Sequence, residues 1–163
     1  MNKILCPVDF SDVSVNAIEF AAKLADAHNA SLILLNVFTE EDFNQILDTD
    51  SIHREYNEKL SIAEKKLGRL AEEINSSEKT KGLLGCSYLF RTGKLTETVI
   101  EIAQEEKIDL IVIGTTGITG LKEKYVGSKT LKIIENAPCS VFVVPSEQAF
   151  HKIRKMVYAT DYQ

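Results

Sequence analysis

The sequence predicts an α/β protein in which helices cover both faces of a mostly parallel sheet. Short apolar runs alternate along the chain with segments whose apolar residues recur every three or four positions, as in amphipathic helices. The runs are nearly continuous, which is typical of strands buried on both faces. Parallel strands need a crossover connection between them, and each predicted helix supplies one.

Length, composition and charge are typical of one folded domain. The chain has 163 residues, of which 44% are hydrophobic and 26% charged, and its net charge is −5. A negative chain with scattered lysines is a poor partner for nucleic acid. Because the apolar runs are too short to cross a bilayer and no secretory signal is visible, we expect no membrane partner and a cytoplasmic location. Cys6, Cys86 and Cys139 lack CxxC spacing and are expected to be buried reduced thiols.

The first half of the chain predicts two strands and two helices. A strand over residues 3–8 ends at Asp9, and Ser11 or Asp12 caps the helix that follows. The second strand covers residues 31–37, and residues 39–51 are expected to form a mobile loop with one short turn near 43–47. A stripe from Tyr56 to Ile74 predicts a long amphipathic helix, with a coiled coil as the weaker alternative.

The second half predicts three further strands, over residues 83–90, 109–113 and 140–144. Between them, a helix over residues 96–106 should turn Val99, Ile102 and Ala103 inward. A helix over residues 128–136 should turn Leu131 and Ile134 inward.

Two groups of glycines bracket the loop after the fourth strand. The first is Gly114, Gly117 and Gly120, and the second is Gly127, followed by Ser128 and Lys129 at a predicted helix start. Glycines allow a ligand to approach the backbone, and a helix N-terminus offers unpaired amides, so the pattern suits phosphate. The P-loop pattern fails because Glu123 and Ser128 stand where glycines are required, and the dinucleotide pattern GxGxxG would have to follow the first strand.

Structural alternatives exist for the same residues. Asp9 could be a helix-capping acid, the segment from Gly114 to Gly120 a flexible linker, and Ser128 only an N-cap. No Ser/His/Asp or Cys/His set can be assembled for nucleophilic catalysis, and no set of residues has metal-ligand spacing.

The spacing Gly-x2-Gly-x9-Gly-Ser, read from Gly114, Gly117, Gly127 and Ser128, resembles the ATP-binding branch of the universal stress protein (UspA-like) family. Residues 3–11, 109–114 and 137–145 resemble the first, fourth and last strands of that family. The resemblance covers residues 1–146, which we take as one domain. It implies a Rossmann-like open parallel sheet of five strands in the order 3-2-1-4-5, with a ligand at the switch point between strands 1 and 4.

Roles for individual residues follow from this resemblance alone. Asp9 would accept from ribose or adenine, while Pro7 and Val8 shape the wall and the Val37 backbone reads the adenine edge. Gly114 and Thr115 would lie along the ribose. The phosphates would be held by the Ser128 hydroxyl and by four backbone amides, those of Gly117, Gly127, Ser128 and Lys129. The Lys129 side chain would pair with a phosphate or point into solvent.

The resemblance implies that the ligand is ATP, or AMP or ADP, with Mg²⁺ or Mn²⁺ on its phosphates, in a regulatory stress-response or signalling role. The alternative is a slow ATP hydrolase or adenylating enzyme, and a third possibility is a ligand-free interaction module. Without an activating base, we expect a weak ATPase at most. The resemblance also implies a homodimer through strand 5, whose apolar edge allows pairing.

Residues 147–163 are predicted to be a linker and an extra strand. Residues 155–163 repeat the Lys, the apolar pair, the Asp and the aromatic residue of residues 3–11, which indicates the start of a second copy in a tandem protein. The alternative is a chance strand-like tail. We expect this strand to add antiparallel to strand 5 or to exchange onto a partner molecule.

Overall fold

The computed structural model describes residues 1–39, 49–115 and 127–145, together with Phe150, Lys155 and Val157. For residues 49–55 it describes the backbone only. Within these residues no helix is both long enough and apolar enough to cross a membrane.

Strands and helices alternate along the described chain as the sequence predicts. A short 3-10 turn, Glu78–Thr80, precedes the third strand. The elements are β1 Lys3–Pro7, α1 Asp12–His28, β2 Ser31–Phe38, α2 Thr49–Asn75, β3 Gly85–Thr92, α3 Leu95–Glu105, β4 Leu110–Gly114, α4 Ser128–Asn136 and β5 Ser140–Val144.

The five strands form one parallel sheet in the order β3-β2-β1-β4-β5, which confirms the predicted fold class. In β1, Pro7 lies opposite Leu35 of β2, and Leu5 lies opposite Ile111 of β4. The strand order reverses between β1 and β4, so the carboxyl ends of these two strands border the crevice in which such sheets bind ligands.

Two layers of helices bury the two faces of the sheet. Side chains of α1 and α2 pack on one face against residues such as Ile4 and Leu34, and side chains of α3 and α4 pack on the other against residues such as Leu5 and Ile111. The predicted inward residues of α1 and α3 are buried: Ala17, Phe20, Ala21, Leu24, Val99, Ile102 and Ala103.

The predicted inward face of α4 is wrong. Leu131 and Ile134 are 46% and 41% exposed, whereas Ile133 is fully buried and Thr130 is buried beside it. Both pairs have the same i, i+3 spacing, so the spacing predicts an amphipathic helix without identifying which of the two stripes faces the sheet.

The prediction of a loop over residues 39–51 is wrong for residues 49–51, because α2 already begins at Thr49. The short turn predicted near residues 43–47 lies outside the described residues.

The outer edge of β3 is bonded to a side chain at the end of α2. The Asn75 Nδ2 donates to the Cys86 carbonyl at 2.8 Å, and the Asn75 Oδ1 accepts from the Cys86 amide at 2.7 Å. One amide side chain therefore pairs both backbone groups of Cys86, as a neighbouring strand would.

After β5 the chain contacts α1. The Asn16 Nδ2 donates to the Pro145 carbonyl at 3.0 Å. Further along, the Phe150 ring packs edge-on against Phe20, with 5.2 Å between centroids, and lies 5.1 Å from the Lys23 Nζ. Residues 158–163 lie outside the described residues, so the extra strand stays a prediction.

Candidate functional site

The carboxylate of Asp9 organises the turn between β1 and α1. Its Oδ1 accepts from the Ser11 amide at 3.0 Å and from the Ser11 hydroxyl at 2.6 Å. The Ser11 Oγ in turn accepts from the Ser14 amide at 3.2 Å, so Ser11 is the N-cap of α1 and Asp9 is not. The Asp9 Oδ2 has no hydrogen-bond partner within the described part of the chain, which leaves it available as an acceptor.

The residue after Asp9 has an unusual backbone conformation. Phe10 has a φ of 63°, in the left-handed region that bulky side chains rarely adopt. Its ring packs against the core under α1, and the Lys66 Nζ lies 4.5 Å from the ring centroid. Backbone strain of this kind is found at binding sites more often than elsewhere.

The end of β2 holds the end of β1 through both a backbone and a side-chain bond. The Val8 amide donates to the Leu35 carbonyl at 2.8 Å, and the Asn36 Nδ2 donates to the Val8 carbonyl at 2.6 Å. In a regular parallel ladder the Val37 amide would donate to this carbonyl. Here the Asn36 side chain takes its place, so the Val37 amide faces β1 with no backbone partner there among the described residues.

The residues predicted to border the nucleoside, Pro7 and Val8 as its wall and Val37 through its backbone, are buried. Val8 is buried in the layer of α1, Val37 is buried in the layer of α3, and Pro7 is buried at the end of β1. Their roles towards a ligand stay predictions.

Gly114 allows a close approach between β4 and α1. A Cβ on Gly114 would lie 2.5 Å from the Val13 Cγ1 and 3.2 Å from the Val13 carbonyl oxygen. The packing of the first turn of α1 is thus sufficient reason for a glycine here. The sequence suggested a ligand as the reason, because the neighbour in space lies about a hundred residues away in the chain.

The N-terminus of α4 begins with a residue that has no capping side chain. Gly127 is the N-cap, and its own amide donates to the Thr115 carbonyl at 2.7 Å, so this amide is already paired. The Thr130 Oγ1 bonds to the Gly114 carbonyl at 3.3 Å and ties the helix to β4. The Ser128 amide has no partner among the described residues, and Ser128 and Lys129 are both exposed. Gly117 lies outside the described residues.

The sheet brings several predicted residues to one edge. β1 lies between β2 and β4, and Asp9, Val37 and Thr115 lie at the carboxyl ends of these three strands. The carboxyl ends of parallel strands meet at one edge of the sheet, so the three residues border one crevice. It combines a carboxylate acceptor, an amide donor and the start of the segment that leads to the N-terminus of α4.

The sequence did not predict a role for two residues of this edge, Asn36 and Phe10. Asn36 was hidden in the second apolar run, where it is the only polar residue between Leu32 and Val37. Phe10 gave no signal, because its left-handed conformation cannot be read from its residue type.

Comparisons with known proteins agree with this architecture. The model of the universal stress protein family matches residues 1–145. Universal stress protein MJ0531 of Methanocaldococcus jannaschii is 34% identical over 145 residues, which span 87% of this chain and 81% of the relative. The solved structure of UspA from Lactobacillus plantarum superposes with a TM-score of 0.72 at 26% identity and covers 88% of this chain and 97% of that one.

A further solved structure with the same fold contains a nucleotide. A family protein from Arabidopsis thaliana with AMP bound has a TM-score of 0.58 at 17% identity and covers 89% of this chain and 92% of that one. With a family model that spans residues 1–145 and a relative at 34% identity, this chain belongs to the universal stress protein family.

Proposed function

We propose that this protein binds an adenine nucleotide as a regulatory ligand in a stress response or in signalling. ATP is the first candidate, and AMP or ADP are the alternatives. The observation that carries the proposal is that β2, β1 and β4 are neighbours whose carboxyl ends bring Asp9, Val37 and Thr115 to the switch point of the sheet. The AMP complex of the Arabidopsis thaliana protein, and a universal stress protein solved with cAMP, support the choice of nucleotide.

The two sides of the crevice suit the two ends of a nucleotide. On the nucleoside side, the Asp9 Oδ2 offers an acceptor to a ribose hydroxyl or an adenine amine, and the Val37 amide offers a donor to a ring nitrogen. On the phosphate side, the Ser128 amide and hydroxyl lie at the positive end of the α4 dipole. Gly117 and Lys129 remain in the proposed phosphate set, whereas the Gly127 amide would first have to leave the Thr115 carbonyl.

We further propose that Mg²⁺ or Mn²⁺ would be held by the nucleotide phosphates. No group of three His, Cys, Asp or Glu side chains in the described ranges could hold a metal ion by itself. Asp9 is assigned to the nucleoside, and among the described residues we assign no second carboxylate to orient an attacking water. We therefore expect slow hydrolysis of the nucleotide at most. Separately, we propose the cytoplasmic location that the sequence predicts.

Calorimetry with ATP, ADP, AMP and GTP tests the proposal. We expect micromolar affinity for an adenine nucleotide, or about −8 kcal/mol. Gly117→Val should abolish binding because its side chain would occupy the space of a phosphate, whereas Gly120→Val in the same loop is the matched control. Ser128→Ala should weaken the binding free energy by about 1 kcal/mol, the usual contribution of one hydrogen bond. Ser31→Ala, at the opposite end of the sheet, should leave the binding free energy unchanged.

Two outcomes would contradict this assignment. Unchanged ATP affinity in Gly117→Val would remove the glycine loop from the site. A turnover number near about 10 per second, the median for enzymes, would favour the hydrolase alternative.

We also propose a homodimer through β5. This strand lies at the edge of the sheet, and its Val141, Phe142 and Val143 side chains are half-buried. A second copy could pair with this edge and cover them. Sedimentation should show a dimer that Val141→Lys weakens, whereas Val15→Lys, on an exposed part of α1, should not. A monomer at all concentrations up to about 1 mM, far above typical dimer dissociation constants, would contradict the proposal.

A further inference from the structure

We infer that Asn36 is a positioning residue for the nucleoside half of the site. Its side chain fixes the Val8 carbonyl, and through it the Asp9 carboxylate and the Val37 amide. This inference rests on the proposed nucleotide binding and adds a residue that the ligand need not touch.

The Asn36 side chain places an amide in the buried core of the sheet, which costs free energy. Asn36 is only 7% exposed, and its neighbours along β2 are buried apolar side chains. A buried amide is unfavourable unless it is hydrogen-bonded, so a leucine here would serve the core equally well. The 2.6 Å hydrogen bond from the Asn36 Nδ2 to the Val8 carbonyl offsets this unfavourable burial.

The Val8 carbonyl lies where the chain leaves the sheet towards Asp9. β1 ends at Pro7, and Phe10 is already in the left-handed region, so the chain leaves the sheet within three residues. Val8 is bonded to β2 through both its amide and its carbonyl. The peptide that begins with the Val8 carbonyl continues directly into Asp9, so fixing that carbonyl restricts the placement of the carboxylate.

The Val37 amide lies beside the same carbonyl. The Val8 carbonyl accepts from the Asn36 side chain, and the Val37 amide has no bond to it. Without the Asn36 donor, only the Val8 amide would hold Val8 to the end of β2, so the Asp9 carboxylate and the Val37 amide would lose their fixed separation. Loss of the side-chain bond therefore affects the acceptor and the donor of the nucleoside side together, and neither group on the phosphate side.

The test compares three ligands in one variant. Affinities of Asn36→Leu for ATP, AMP and inorganic tripolyphosphate are measured by competition against a fluorescent ATP analogue. We expect affinity for ATP and for AMP to fall about tenfold, the equivalent of about 1.4 kcal/mol, and affinity for tripolyphosphate to stay within about twofold of the wild-type value. A general loss of structure would weaken binding of all three ligands.

Two control variants test whether the effect is specific to the nucleoside side of the site. Asn75→Leu removes another side-chain amide that bonds to a strand backbone, at the opposite end of the sheet, and should lower stability with no change in any of the three affinities. Ser128→Ala should weaken ATP and tripolyphosphate alike. If Asn36→Leu does not fold, Asn36→Ala, which also lacks the donor, takes its place.

Each outcome decides between the inference and the proposed function. Suppose that the wild-type protein binds ATP. If Asn36→Leu then keeps the wild-type affinity for all three ligands, or loses affinity for all three in parallel, only the positioning role is overturned. A wild-type protein that binds neither ATP nor AMP overturns the proposed function and, with it, the role of Asn36.

Discussion

Gly114→Ala should destabilise the protein by overpacking the contact between β4 and α1. The new Cβ would lie 2.5 Å from the Val13 Cγ1 and 3.2 Å from its carbonyl oxygen, whereas carbon atoms in contact normally lie about 3.5–4.0 Å apart. A valine in a helix has one strongly preferred rotamer, and the carbonyl cannot rotate away, so the first turn of α1 must move. Overpacking of this kind typically costs about 1–3 kcal/mol, and we expect about 2 kcal/mol.

Urea unfolding of Gly114→Ala, alone and combined with Val13→Ala, measures this cost. Removing the Val13 Cγ1 eliminates the closer of the two contacts, so the second substitution should recover more than half of the loss. Gly68→Ala is the matched control, because its Cβ would meet the Tyr88 ring at an ordinary 3.4 Å and alanine favours a helix by about 1 kcal/mol over glycine. A Gly114→Ala protein as stable as the wild type would refute the argument, as would a double variant no better than the single one.

Three further predictions concern regions away from the crevice. Hydrogen bonds from two N-terminal amides lower the pKa of the exposed Asp109, so the stability it contributes should be present above about pH 4 and lost as the pH falls through its folded pKa. The destabilisation by Asp109→Asn, followed by urea unfolding from pH 7 to pH 2, should accordingly shrink with acid, and a constant difference would count against it. Burial raises the pKa of Cys86 to about 12, so a thiol reagent at pH 8 should label the half-buried Cys139 first and Cys86 only during unfolding. Phe150→Ala should lower the free energy of unfolding by about 1 kcal/mol, because the ring contact with Phe20 is lost. Calorimetry should show an unchanged nucleotide affinity.

The sequence predicted the fold well because periodicity reports burial directly. The run from Ser31 to Val37 has no polar alternation, and it forms a strand buried on both faces. Asn136 and Pro138 close α4 where the sequence suggested. The strand order came from the resemblance to the family and not from the apolar pattern, because periodicity carries no information about which strands are neighbours.

The candidate site was less predictable, because its features depend on contacts between distant segments. The glycine at position 114 is visible in the sequence, but its packing against Val13 is not. The pairing of the Gly127 amide with the Thr115 carbonyl likewise depends on how the intervening segment closes. Asn36 acts through a carbonyl of another strand, and a pattern along one strand cannot reveal that partner.

The contact of Phe150 with α1 limits where the rest of the chain can go. The crossovers β1–α1–β2 and β2–α2–β3 pass over one layer, and those that build β4 and β5 pass over the other, which keeps every crossover right-handed. Phe150 lies on the layer of α1. A sixth strand parallel to β5 and outside it would therefore require a left-handed crossover, which occurs in about 2% of such connections. Chirality alone therefore disfavours a parallel strand beyond β5. A strand formed by residues 155–161 is expected to pair antiparallel with this sheet or to join a different sheet.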